Sequence, residues 1–252
     1  MSIGSIELSI IAPAFIAGVL VTATHIPLGM QVLARGIVFI DLAIAQIAGL
    51  GVILAGSLGF EPAGWAVQIA ALSAALAGSL LLTWTDKKFP EVQEAIIGVV
   101  FVLAAAGGAI LLADNVHANE KLRELLVGQI LWVKSSNLPF EALVYAIILA
   151  IWFGFRERIG RFGFYALFAC AVTVSVQLVG LYLVFSTLII PPLATRHIQR
   201  FRLPISYALG VCGYAVGLTL SVMLDLPSGP VVVWALAMLG IPLHMLSSRK
   251  RS

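Results

Sequence analysis

The chain has 252 residues, 61% of them hydrophobic and 11% charged, with a formal net charge of +3. A soluble domain carries about a quarter of its residues as charges, so this composition excludes one and indicates a polytopic membrane protein. Lys and Arg cluster between apolar runs, which reads as a topology signal and not as a nucleic-acid surface.

The apolar runs extend from residue 8 to residue 246 with short connections, so 1–252 is expected to be a single transmembrane domain. The first run, 8–24, has no Lys or Arg ahead of it, unlike a cleaved signal peptide, and is expected to be the first membrane helix. Further spans are predicted at 37–57, 64–84, 93–113, 138–155, 164–178, 179–195, 204–224 and 230–246. Joined into one helix, 164–195 would be about 48 Å long, too long for a hydrocarbon core of about 30 Å. Gly180 allows a break and Pro191-Pro192 a stop. The expected fold is therefore an all-α bundle of about nine transmembrane segments, eight if 164–195 counts once.

Alternating these spans puts twelve of the 15 basic residues on one side, among them Arg35, Lys87, Arg156, Arg158, Arg161, Arg196, Arg200 and Arg202. Lys121, Arg123 and Lys134 fall on the other. The positive-inside rule makes the larger group cytoplasmic, with the N-terminus outside and the C-terminus inside. Between Asp114 and Asn137 the run LRELLVGQILWV is apolar but too short to cross, and is expected to form an outer-surface or re-entrant helix.

Within the spans, Asp41 stands out, because an ionised Asp at the centre of a membrane helix costs about 2.5–3.5 kcal/mol on insertion scales. Gln46 is the second candidate for a transport path; five residues apart on a helix, the two side chains diverge by about 140° and cannot both aim at one ion. The spacing puts Gln46 on a face with Leu42, Gly49 and Leu50, and Asp41 on a face with Ile37, Val38 and Ala45. Hydroxyl residues such as Thr173, Ser175, Ser186 and Thr187 are expected to bond back to their own helix or to a neighbour. His25, His117, His197 and His244 are scattered, mostly at predicted membrane edges. Cys170 and Cys212 lack metal or redox spacing and are expected to pack. No hydrolase, metalloprotease or nucleotide-binding motif is present, so any ATP-driven process needs a partner subunit.

Five blocks in order carry a family resemblance. They are RGIVFIDLAIAQIAGLGVILA (35–55), EAIIGVVFVLAAAGGAILL (94–112), LLVGQILWV (125–133), QLVGLYLVFSTLIIPPLATR (177–196) and LPSGPVVV (226–233). Together they resemble the permease subunit of ABC-type zinc/manganese importers, the metal ABC-3 family, and cover most of the chain. The resemblance implies a type II ABC importer permease-like bundle, not itself an enzyme, in a bacterial inner membrane. It further implies a homodimeric pore, an ATPase subunit on the cytoplasmic face and an extracytoplasmic metal-binding protein. Zn²⁺ or Mn²⁺ would be cargo, and ATP would act only through the partner. On the matching blocks, Glu94, Gly180, Pro191, Ser228 and Gly229 take structural or gating roles.

Two positions depart from the family's pattern. Its second helix holds an Asp and a His four apart; aligned on Gly51, Gln46 stands at the His position, Leu42 at the Asp position, and Asp41 one residue early. A neutral amide is a poorer Zn²⁺ ligand than imidazole. Its longer cytoplasmic loop, with a helix that fits the ATPase, is reduced here to RERIGRFG, 156–163. Coupling is therefore expected through Arg156, Arg158, Arg161, Arg196 and Arg200. The alternatives are an ATP-independent carrier on the same scaffold, and another cargo such as an iron chelate.

Overall fold

The computed structural model describes the backbone of residues 3–61, 64–112, 128, 130–155 and 157–249, with side chains over the part of this range from 11 to 248. Among the described residues it is entirely helical: α1 (Ile3–Arg35), α2 (Ile40–Ser57), α3 (Trp65–Lys88), α4 (Gln93–Leu111), α5 (Leu138–Phe155), α6 (Gly160–Val179), α7 (Leu181–Ala194), α8 (Arg202–Leu224) and α9 (Ser228–Arg249). Arg156, Gln129, His117, Lys121 and Arg123 lie outside the described residues, as does most of the expected surface helix; of its run, Ile130–Trp132 forms a single 3-10 turn against α1. Eight helices are long and apolar enough to cross a membrane, and α7, with 14 residues, is the shorter ninth.

The first helix departs most from expectation. It does not stop near residue 24 but continues through Pro27 to Arg35. Pro27 has no N–H, so the carbonyl of Ala23 one turn earlier has no donor within its own helix. Tyr207 of α8 fills the gap, its hydroxyl donating to Ala23 O at 3.0 Å. In a lipid-embedded bundle a freed carbonyl needs such a partner from a neighbouring helix.

The division of 164–195 holds, and its hinge is Gly180, at φ 86° and ψ 160°. That region is essentially reserved for glycine, so the chain can turn there in one residue. Contacts show that it reverses direction. Arg35, ending α1, lies over the ring of Phe164 near the start of α6. Thr195, just past α7, pairs with Ser206 near the start of α8 at 2.6 Å. In turn, α8 runs antiparallel to α1, with Thr22 against Gly210 and Gly18 against Tyr214. The start of α6 and the end of α7 therefore share one face of the bundle. Arg35, Lys87, Arg158, Arg161, Arg196, Arg200 and Arg202 all lie toward it.

Pro191 and Pro192 do not stop α7 but occupy its last turn. Their carbonyls, at the helix end, are capped from nearby: Thr195 Oγ1 donates to Pro191 O at 2.9 Å, and Arg202 to Pro192 O at 3.1 Å. The carbonyl of Leu188, freed by Pro192, lies against Gly29 of α1, where a Cβ would collide with it. This is a close approach that only glycine permits.

Helices α1, α7, α8 and α9 pack as one group, and α2, α3, α4 and α6 as another, joined by contacts of α6 and α7 with α1 and α2. The crossing segment of α6 is 67% buried and that of α4 only 17%, so α6 is central and α4 peripheral. Large apolar side chains such as Trp65, Ile110 and Trp234 stand exposed on the outer faces, as a lipid-facing surface requires.

Candidate translocation site

The start of α2 is held by α4. Glu94, in the first turn of α4, accepts the Phe39 N–H through Oε1 at 3.2 Å, satisfying one of the donors that a helix start leaves open. Asp41 sits in the first turn of α2 and is fully buried. Its Oδ1 accepts the Leu42 N–H at 2.8 Å, while Oδ2 has no partner. A carboxylate in the first helical turn is favoured by the helix dipole, which offsets part of its burial. Asp41 therefore has a local structural task as well as one unused oxygen.

Gln46, a turn and a half further on, is half-buried, and its amide makes no hydrogen bond to the described residues. It shares the face of Leu42 and Leu50, as the spacing predicts. Leu42 lines an apolar groove of about 600 Å³ between α2 and α4, with Phe39, Gly98 and Phe101 among its walls, and Leu50 packs at Gly107 of α4. Asp41 faces the interior and Gln46 the α4 side, so one copy of the chain does not bring them together.

His25 was missed by sequence reasoning, because ending the first span at residue 24 put it at the membrane edge. With α1 continuing to Arg35, it lies deep in the span and fully buried. Its Nδ1 meets Val21 O at 3.1 Å and Thr24 Oγ1 at 3.0 Å, and its Nε2 has no partner. A carbonyl only accepts, so Nδ1 carries the proton and Nε2 keeps its lone pair. Thr22, one turn earlier, is also buried with an unpartnered hydroxyl. Both share the α1 stripe of Gly18 and Gly29, which faces α7 and α8. There, Thr187 and Tyr214 pair at 2.9 Å. Asp41 belongs to a different packing group, since α2 packs mainly on α3, α4 and α6 and α1 mainly on α7 and α8.

The remaining polar residues mostly bond locally. Ser186 and Thr187 donate to Leu183 O within their own helix. Ser175 pairs with Tyr145 across α5 and α6 at 2.6 Å, while Thr173 keeps a buried hydroxyl without a partner. No group of three His, Cys, Asp or Glu side chains is placed to hold a metal among the described residues.

On the basic face, Arg158, Arg161, Arg196 and Arg200 are exposed. Arg161 reaches Asp86 at the end of α3, with Nε 3.7 Å from Oδ2 and NH1 donating to the Asp86 carbonyl at 3.3 Å. Arg200 lies over the ring of Phe201. Gly180 and Pro191 are the hinge and the last turn of α7. Ser228 and Gly229 begin α9, after a tight turn in which Ser221 of α8 donates its hydroxyl to Leu226 O at 2.7 Å.

Comparison with known proteins agrees with this architecture. The chain is 26% identical to a "Probable metal transport system membrane protein" of Chlamydia muridarum, covering 89% of this chain and 83% of that one. It is 23% identical to the "High-affinity zinc uptake system membrane protein ZnuB" of Haemophilus influenzae, covering 89% and 92%. Its fold superposes on the solved structure of PsaBC from Streptococcus pneumoniae in complex with Fab, with a TM-score of 0.74 and 21% identity, covering 92% of this chain and 90% of that one. The profile of the ABC 3 transport family matches residues 7–159 and 150–247. With nearly its whole length matched and eight helices able to cross a membrane, the chain is a multi-pass membrane protein that belongs to the ABC 3 transport family.

Proposed function

We propose that this chain is the membrane-spanning permease subunit of an ABC importer for a divalent transition-metal ion, Zn²⁺ or Mn²⁺. The observation that carries the proposal is the family match along almost the whole chain, with relatives named for metal transport and zinc uptake. The chain works as a homodimer in a bacterial inner membrane and receives its ion from an extracytoplasmic metal-binding protein. A separate ATPase subunit docks on the basic face, which the positive-inside rule makes cytoplasmic, so the N-terminus lies outside and the C-terminus inside. Arg156, Arg158 and Arg161, between and at the start of helices α5 and α6, and Arg196 and Arg200, after α7, form the docking surface.

The metal path runs along the start of α2, past Asp41 and Gln46. Oxygen donors from a carboxylate and an amide suit Mn²⁺ better than Zn²⁺, whose preference is for nitrogen and sulfur. Glu94 holds the entrance of α2, while Gly180 and the Pro191 turn let α7 change its tilt during transport.

A second reading, an ATP-independent carrier, is favoured by one observation: only residues 156–159 separate α5 from α6, too few for a helix that fits an ATPase. The two are separated by uptake of radioactive Zn²⁺ or Mn²⁺ into vesicles carrying the chain with and without its ATPase. Uptake that requires both ATPase and ATP is expected. Metal uptake by the chain alone, driven by a proton gradient or membrane potential, would overturn the importer reading.

A further inference from the structure

The sequence leaves His197 and His244 47 residues apart, yet the fold brings their rings into contact, with centroids 5.2 Å apart and planes at 45°. His197 stands in the 195–201 connection and His244 in α9, five residues before its end. Both are half-buried on the basic face. The Nδ1 of His244 is buried without a hydrogen-bond partner. The Nε2 of His197 accepts a hydrogen bond from Arg196 Nε at 3.0 Å, so that nitrogen holds a lone pair, and a neutral ring carries its proton on Nδ1. Among the described residues, Arg202 donates to Pro192 O and Arg200 lies over Phe201.

The geometry points to a divalent transition-metal site formed by His197 and His244, in which the ion displaces Arg196 from His197 Nε2. Two imidazoles bound to one tetrahedral Zn²⁺ through bonds of about 2.0–2.1 Å hold their ring centroids roughly 5 Å apart, close to the separation already present. Imidazole is the donor that suits Zn²⁺ and its neighbours in the first transition row. Water completes the shell, so the site is exchangeable and not a structural centre. Binding has two consequences. It ties the 195–201 connection to α9, and it releases the Arg196 guanidinium toward the face where the ATPase docks. An ion bound here thereby signals to the coupling surface, an inference that rests on the importer reading for its direction and its partner.

The test uses the full-length protein, purified in detergent with a tag free of histidine and titrated with Co²⁺. Visible absorption reports its binding by nitrogen ligands. The inference expects His197→Asn and His244→Asn each to weaken one equivalent of Co²⁺ at least tenfold while leaving the melting temperature unchanged. Loss of the competing hydrogen bond in Arg196→Gln is expected to tighten that same equivalent about fivefold. A purely structural histidine pair would not respond to Arg196→Gln in that way. Co²⁺ binding that is indifferent to both histidine substitutions, or no tighter in Arg196→Gln, overturns the inference. Neither result touches the importer reading, which wild-type Zn²⁺ or Mn²⁺ uptake decides separately.

Discussion

The link between Pro27 and Tyr207 lends itself to a thermodynamic cycle. Pro27 strips Ala23 O of its intrahelical donor, and the Tyr207 hydroxyl replaces it at 3.0 Å. Tyr207→Phe leaves that carbonyl unpaired inside the bundle, and interhelical hydrogen bonds of this kind are worth about 0.6–1.7 kcal/mol in membrane proteins. A loss of about 1 kcal/mol is therefore expected, a factor of about 5 in the unfolding equilibrium. Pro27→Ala restores an N–H to the helix, which then satisfies Ala23 O by itself. In that background Tyr207→Phe is expected to cost less than about 0.5 kcal/mol, because the carbonyl no longer depends on α8. The assay is reversible unfolding in mixed detergent micelles of the wild type, both single variants and the double variant. An equal cost for Tyr207→Phe in both backgrounds would refute the reasoning, since Tyr207 would then stabilise α1 by packing and not by replacing the missing donor.

Three further outcomes follow from the same contacts. Asp41→Leu removes the acceptor of the Leu42 N–H and is expected to lower stability by about 1–2 kcal/mol. Asp41→Asn keeps an oxygen there and is expected to cost less than half as much, which thermal melts in detergent will read. Gly29→Leu drives a side chain into Leu188 O and is expected to separate α1 from α7, with a loss of about 1–3 kcal/mol in the same melts. Arg161→Ala breaks a solvent-exposed pair with Asp86, worth no more than about 1 kcal/mol and less after screening. Its melting curve should barely move while ATP-driven metal uptake falls; an unchanged uptake would remove Arg161 from the coupling surface.

Much of the architecture was legible because a membrane helix writes itself as a run of about 20 apolar residues. Gly180 was readable as a hinge on length alone, since 164–195 could not cross as one straight helix. The sharing of one face by the basic clusters followed from that reversal. The divergence of Asp41 and Gln46 followed from helical spacing, and the fold places one toward the interior and the other toward α4.

Pro191-Pro192 was read as a stop, and a first span ending at residue 24 left Pro27 outside it; in the fold all three prolines are helical, Pro27 inside α1 and the pair in the last turn of α7. Pro27 and the Pro191-Pro192 pair end helices in isolation because they free carbonyls and clash with the preceding turn. Here Tyr207 takes up the carbonyl that Pro27 frees and the bare Cα of Gly29 makes room for the one that Pro192 frees, while Thr195 and Arg202 cap the carbonyls of Pro191 and Pro192 at the helix end. All but Thr195 lie on other helices, and Tyr207 is 184 residues from the carbonyl it serves. No local pattern announces such a partner. Ending the first span at residue 24 put His25 at an edge and left it out of the polar interior.

What the sequence by itself determined is the membrane class, the number of crossings, the reversal at Gly180 and the segregation of charge. All of these depend on the chain's own apolar length and on local conformational freedom. Only the tertiary structure decided where freed carbonyls and lone imidazoles find their partners, how His25 is buried, and that His197 meets His244. Those outcomes depend on contacts between distant helices, and a hydrogen bond supplied from elsewhere in the bundle can reverse a local preference worth only a few kcal/mol.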